Sequence, residues 1–201
     1  MLFAMALVAA APAGAEQLRI LAFGDSLTAG FGLGPGHGFV PQLERALAEE
    51  GVAAKVIDAG VSGDTTAGGL ARLDWALADR PDLVILELGA NDMLRGVDPA
   101  VTRANLDQML AKLRASGARV LLAGMRAAPN LGTQYGAEFE AIYAELSEKY
   151  RVPLYPFFLE GVATEPSLNQ PDGLHPNAAG VAEIVRRILP QVLAAAGVSR
   201  S

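Results

Sequence analysis

Two short stretches contain the residue types that nucleophilic catalysis needs. "AFGDSLTAG" (22–30) puts Ser26 directly after an apolar run, and "PDGLHPN" (171–177) puts Asp172 three residues before His175. A serine hydroxyl is a weak nucleophile at neutral pH and needs an adjacent base. The chain has two histidines, His37 and His175, and no cysteine. An imidazole base must therefore be one of these two, and a thiolate nucleophile, a thiolate metal site and a disulfide framework are excluded. Between the two stretches, "VSGDT" offers the backbone of Gly63 and "GAND" the amide of Asn91. A hydroxyl, an imidazole, a carboxylate, an amide and a glycine backbone are the parts of an acyl-transfer site. Each also has an ordinary structural use. Ser26 suits a helix N-cap, Gly63 a positive φ, Asn91 a cap or turn, Pro171-Asp172-Gly173 a turn, and His175-Pro176 a helix start. Singly, the ordinary use is the better reading of each; the set points to chemistry.

Competing motifs fail. No G-x-G-x-x-G follows the first apolar run, and no G-x-x-x-x-G-K-[ST] occurs. Gly60-Val61-Ser62-Gly63-Asp64 misses G-x-S-x-G at its last residue, so the nucleophile elbow of α/β-hydrolases is absent. Two histidines, one of them in a glycine-rich loop, make a poor zinc site, and no metal or cofactor is expected.

The elements that must position these residues alternate along the chain. Apolar runs rich in β-branched residues occupy 18–23, 54–60, 82–89, 118–125 and 152–158. Helical periods lie between them: Leu106, Met109, Leu110 and Leu113; Phe139, Ile142, Tyr143 and Leu146; Val181, Ile184, Val185 and Ile188. Leu70, Leu73 and Leu77 form a thinner stripe, and Phe39, Leu43 and Leu47 another. Strands alternating with helices predict a five-stranded parallel sheet covered on both faces, a three-layer α/β/α sandwich. In such sheets ligands bind beyond the carboxyl ends of the strands, which is where Ser26, Gly63 and Asn91 fall.

The totals narrow the function. At 201 residues and 51% apolar, the chain has material for one sizeable core. Its net charge of −6, without a basic cluster, argues against a nucleic-acid partner and against docking on anionic lipid. Residues 1–15, "MLFAMALVAAAPAGA", read as a signal peptide ending in a small-x-small site, although the basic start is missing. Its apolar run is too short to span a bilayer. The expectation is a periplasmic or secreted single domain over 16–201, without stable membrane insertion once the leader is removed.

"FGDSLTAG", "VSGDTTAGGLARL", "LELGANDMLRG" and "DGLHPN" together resemble the four sequence blocks of the SGNH (GDSL) hydrolases. The resemblance is closest to the arylesterase, acyl-CoA thioesterase I and lysophospholipase L1 branch, and it covers almost all of 16–201. It implies the family's flavodoxin-like fold and its roles. Ser26 resembles the nucleophile, His175 the base and Asp172 its carboxylate partner. Gly63 and Asn91 resemble the oxyanion donors, with the Ser26 N–H as a third. The implied reaction is hydrolysis of short- to medium-chain esters, with acyl thioesters or lysophospholipids as further small-molecule substrates. A carbohydrate O-deacetylase of the same family and a non-catalytic ligand-binding module are the alternatives. Asp25, Asp64 and Asp92 flank site residues and read as acceptors that brace loops. "MRAAPNLGTQYG" (125–136) follows the fourth apolar run, so Met125, Pro129 and Tyr135 are expected in a loop that forms a wall for the acyl or aryl group.

Overall fold

The computed structural model describes residues 17–198; the predicted leader at 1–15 lies outside the described residues. Five strands, β1 (Leu18–Gly24), β2 (Ala54–Gly60), β3 (Leu83–Glu87), β4 (Arg119–Ala123) and β5 (Leu154–Tyr155), form one sheet in the order β2-β1-β3-β4-β5. Every pairing is parallel. The helices are α1 (Ser26–Ala29), α2 (Phe39–Glu49), α3 (Thr66–Ala76), α4 (Ala90–Leu94), α5 (Pro99–Ser116), α6 (Thr133–Tyr150) and α7 (Ala178–Ala195). α2 packs against α7, α3 against α5, and α5 against α6, which gives a helical layer on each side of the sheet. This is the expected three-layer sandwich, and its buried apolar residues form one cluster.

The buried positions follow the sequence periods. Leu106, Met109, Leu110 and Leu113 of α5 are buried, as are Phe139, Ile142, Tyr143 and Leu146 of α6. β3 and most of β1 are buried along their length, as strands covered on both faces should be. Helix ends carry their own signals. Asp98 caps α5 ahead of Pro99, and Gly117 closes it in the left-handed region. Asn177 caps α7 by accepting from Ala179 N and Gly180 N.

The fifth apolar run is the main departure. The expected strand over 152–158 pairs only at Leu154–Tyr155. Pro153 and Pro156 flank that pair and have no N–H for a ladder. The chain then leaves the sheet, and Phe158 N donates to Gly124 O at 2.8 Å. Phe158 turns into the core, while Phe157 lines a cavity at the carboxyl end of the sheet.

The strand order places the site. From β1 the chain moves outward to β2, then returns past β1 to build β3, β4 and β5 on the other side. The loops after β1 and β3 therefore diverge at the switch point, where a crevice opens. Ser26 follows β1 and Asn91 follows β3.

Candidate active site

Ser26 is the first residue of α1, one turn of helix held between the end of β1 and a left-handed Gly30. The cap is Asp25, which accepts from Leu27 N at 3.0 Å, so Ser26 is free of that ordinary use. Helix geometry leaves the first-turn N–H of Ser26 without an intrahelical acceptor. Ser26 as a whole is only 9% exposed and lines the crevice. The turn is tight because neighbouring backbone comes very close. A Cβ on Gly60, at the end of β2, would lie 2.3 Å from Ala29 N, and one on Gly24 would lie 2.7 Å from Glu87 O.

His175 and Asp172 come from the turn before α7. Because Asn177 is the helix cap, His175 stands ahead of the helix rather than in its first turn. Its Nε2 is 3.0 Å from Ser26 Oγ, and its Nδ1 is 2.7 Å from Asp172 Oδ2. Asp172 Oδ1 also accepts from the backbone N–H groups of Leu174 (2.9 Å) and His175 (3.0 Å). The His175 N–H first, then that of Leu174 and the imidazole, hold the Asp172 carboxyl down at about 2. Asp172 is thus an acceptor at neutral pH. It places the ring proton on Nδ1 and leaves Nε2 of the neutral ring to accept from Ser26 Oγ–H. The second histidine, His37, is exposed in the loop before α2.

Asn91 sits in the first turn of α4, whose cap is Gly89 at φ 120. A Cβ on Gly89 would lie 2.1 Å from Tyr143 Oη, which itself donates to Leu88 O. Asn91 Nδ2 donates to Asp25 Oδ2 at 2.9 Å. One amide N–H is thereby fixed and the other remains for the crevice. Gly63 has φ 80, and its carbonyl accepts from Arg95 Nη2 at 2.8 Å, which ties the β2 loop to the end of α4.

The three flanking aspartates are bracing acceptors. Asp64 Oδ2 receives Arg72 Nε at 2.7 Å. Asp92 receives Thr66 N (2.8 Å), Thr66 Oγ1 and Thr102 Oγ1, which joins α4 to α3 and α5. Asp25 is fully buried, and burial is the main cause that raises its carboxyl to about 6. Beneath it lies a second buried acid, Glu87, whose Oε2 accepts from Thr28 Oγ1 (2.8 Å) and Asp25 N (3.3 Å). Burial, with the Asp25 charge beside it, pushes Glu87 well up. Arg72 donates to Ala59 O and Gly24 O, both at 2.8 Å, and its guanidinium lies 4.0 Å from the centre of the Phe23 ring. Neither Glu87 nor Arg72 stood out in sequence. One is the last residue of an apolar strand and the other one arginine on a helix, and only packing shows what each holds.

A cavity of about 520 Å³ opens from Ser26, Asn91 and His175. Met125 and Pro129 line it, as expected, and Tyr135 does not. The expected loop over 125–136 is shorter, because α6 begins at Thr133 and takes Tyr135 into its first turn. There Tyr135 stacks on Phe139, with centroids 6.0 Å apart, and donates to Val97 O at 2.8 Å. The wall that sequence reading missed comes from the segment after β5, with Phe157, Leu159, Ala163 and Thr164. Arg126 and Glu160, both among the lining residues, pair at 3.5 Å, and the Arg126 guanidinium lies 4.9 Å from the centre of the Phe157 ring. Among the described residues, no group of three or more His, Asp and Glu side chains could hold a metal ion.

The model of the GDSL-like lipase/acylhydrolase family matches residues 22–182, a span that includes Ser26, Gly63, Asn91, Asp172 and His175. The chain belongs to that family. The GDSL-like relatives include an esterase TesA from Pseudomonas aeruginosa, 43% identical over 177 residues that cover 88% of each chain. An arylesterase from Vibrio mimicus is 45% identical over 170 residues, covering 84% of each. Among solved structures, a crystal structure of TesA superposes with a TM-score of 0.84 at 42% identity, covering 88% of this chain and 99% of that one. The GDSL-like fold is thus shared over nearly the whole of both molecules.

Proposed function

We propose that this protein is a serine esterase that hydrolyses short- and medium-chain carboxylic esters through an acyl-enzyme, with acyl thioesters or lysophospholipids as further substrates. The observation that carries the reading is the continuous line from Ser26 Oγ to His175 Nε2 (3.0 Å) and from His175 Nδ1 to Asp172 (2.7 Å), at the mouth of an apolar cavity. His175 Nε2 takes the Ser26 proton as Oγ attacks the substrate carbonyl. The imidazolium that results is stabilised by ionised Asp172 and returns the proton to the departing alcohol or thiol. The carbonyl oxygen becomes an oxyanion, met by the N–H groups of Ser26 and Gly63 and by the free amide N–H of Asn91. Water, deprotonated by His175, then attacks the acyl-enzyme. The carboxylic acid leaves and Ser26 recovers its proton.

The apolar lining supports acyl-chain binding without strict choice of length, since one methylene in such a pocket is worth about 1–3 kcal/mol. The relatives named esterase and arylesterase support the same reaction class. Export to the periplasm rests on the sequence of 1–15. Among the described residues, no helix is long and apolar enough to cross a membrane. The test is a fluorophosphonate probe together with p-nitrophenyl ester turnover. Ser26 should be the labelled residue, and Ser26→Ala should lose both labelling and hydrolysis. Labelling that persists in that variant, or that maps to Ser62, refutes the assignment.

A further inference from the structure

We propose that Gln170 is a positioning residue that straps the loop behind the nucleophile to the turn carrying the histidine, and so sets the register between Ser26 and His175. The proposal rests on the catalytic reading above. The two reacting side chains are 149 residues apart in sequence, and a contact of 3.0 Å must hold between two irregular segments. Gln170 is placed to hold it. Its side-chain amide donates twice, to Phe31 O at 2.7 Å and to Pro176 O at 2.9 Å. Its backbone N–H donates to His175 O at 2.8 Å, and its carbonyl accepts from Gly173 N at 3.0 Å.

The far end of the strap reaches the nucleophile in one step. Phe31 receives Gln170 on its carbonyl, and its own N–H donates to Ser26 O at 3.1 Å. Its ring lies against the imidazole of His175, with centroids 4.6 Å apart and planes tilted by 39°. The same residue thus touches both catalytic residues, and Gln170 fixes its backbone. The neighbouring Gly32 is shaped to this amide. It has φ 73, and a Cβ there would lie 2.3 Å from Gln170 Oε1. Facing two carbonyls requires two N–H donors on one short side chain. A carboxylate of the same shape offers none and would meet both oxygens with like charge.

A second glutamine supplies an internal control. Gln42 Nε2 donates to His37 O at 2.7 Å and Ala178 O at 3.1 Å, joining the loop after α1 to the start of α7 without bonding Phe31 or the Gln170–Pro176 turn. If any tie between these stretches were enough, the two glutamines would be equivalent. The strap predicts that they are not.

The experiment compares Gln170→Met, Gln170→Glu and Gln42→Met with the unmodified protein. Thermal melting, kcat and KM for p-nitrophenyl butyrate, and the rate of fluorophosphonate labelling are measured on each. A displacement near 1 Å between reacting groups costs about 10²-fold, so both Gln170 variants should lose about 10–10² in kcat with KM little changed. Labelling should slow by the same factor, because it reads the attack by Ser26 alone. Gln42→Met should melt lower with kcat close to that of the unmodified protein. Should Gln170→Met fail to fold, Gln170→Glu, which keeps length and shape, carries the test. Gln170 variants that melt lower yet turn over and label normally overturn the proposal, as does an equal loss of kcat in Gln42→Met. An unmodified protein that is not labelled at Ser26 refutes the catalytic reading instead.

Discussion

Asn91→Ala should perturb both catalysis and stability, through the two N–H groups of a single amide. One N–H is assigned to the oxyanion, and removing such a donor costs about 2.7–4 kcal/mol of transition-state stabilisation, or 10²–10³ in kcat. The other donates to Asp25 Oδ2 at 2.9 Å. A hydrogen bond to a charged group is worth about 1.5–3 kcal/mol, and Asp25 is fully buried. After the substitution, Leu27 N remains as the donor to that carboxylate. Burial already raises Asp25, and losing the amide raises it further. The carboxyl can then take up a proton, which limits the loss. For a domain of this size about 2–4 °C accompanies each kcal/mol, so the melting temperature should fall by about 3–12 °C. The assay is p-nitrophenyl butyrate turnover at 25 °C beside a thermal melt at pH 7. The expected result is a large loss of kcat with KM little changed, together with the lower transition. A raised KM with unchanged kcat would refute the oxyanion role. An unchanged melting temperature would refute the coupling to Asp25.

The remaining predictions follow from the same geometry. His175→Ala should lower kcat by at least about 10³, whereas His37→Ala, at a residue that is exposed and not among those lining the cavity, should stay near full activity; the reverse pattern would overturn the Asp172–His175 assignment. Asp25 is raised from 3.8 to about 6, so its ionisation disfavours the fold. Its contribution is complete below pH 3.8 and is lost as pH rises through about 6. Urea unfolding at pH 4 and pH 7 should therefore show Asp25→Asn gaining relative to the unmodified protein at the higher pH, while turnover falls because an amide can no longer accept equally from Asn91. Parallel stability curves would contradict this. Gly60→Ala places a methyl 2.3 Å from Ala29 N, in the short helix that begins at Ser26. Overpacking against backbone costs about 1–3 kcal/mol, and a lower melting temperature with lower kcat should follow; a neutral result would show that α1 can shift without consequence.

Much of the molecule is legible in the chain because the signals are local. Buried faces of α2, α5, α6 and α7 repeat at helical spacing, and β1 to β4 are apolar runs found within a residue or two of their expected limits. Where local rules compete, the reading slips. The run over 152–158 is apolar enough for a strand, but two prolines leave it two paired residues and send Phe157 to the cavity wall. Tyr135 reads as a loop aromatic beside Gly136 and is in the first turn of α6, because the helix carries that glycine inside it and begins at Thr133.

The sequence by itself determined which residues are available for chemistry. With one histidine beside a carboxylate, two serines just past strand ends (Ser26 and Ser62) and no cysteine, few assignments remain, and the four blocks name the family. Residue type and order along the chain are enough for that. No local pattern holds the strand order 2-1-3-4-5, which the resemblance implies and the tertiary structure builds, and which opens the crevice between the loops after β1 and β3. It also decided that Asp25 holds Asn91, that Glu87 lies beneath Asp25, and that Gln170 reaches Phe31 across 139 residues. These contacts carry no local periodicity. Each joins a carbonyl or carboxyl to a donor far away in sequence, and a partner of that kind is chosen by which surfaces the packed core brings together.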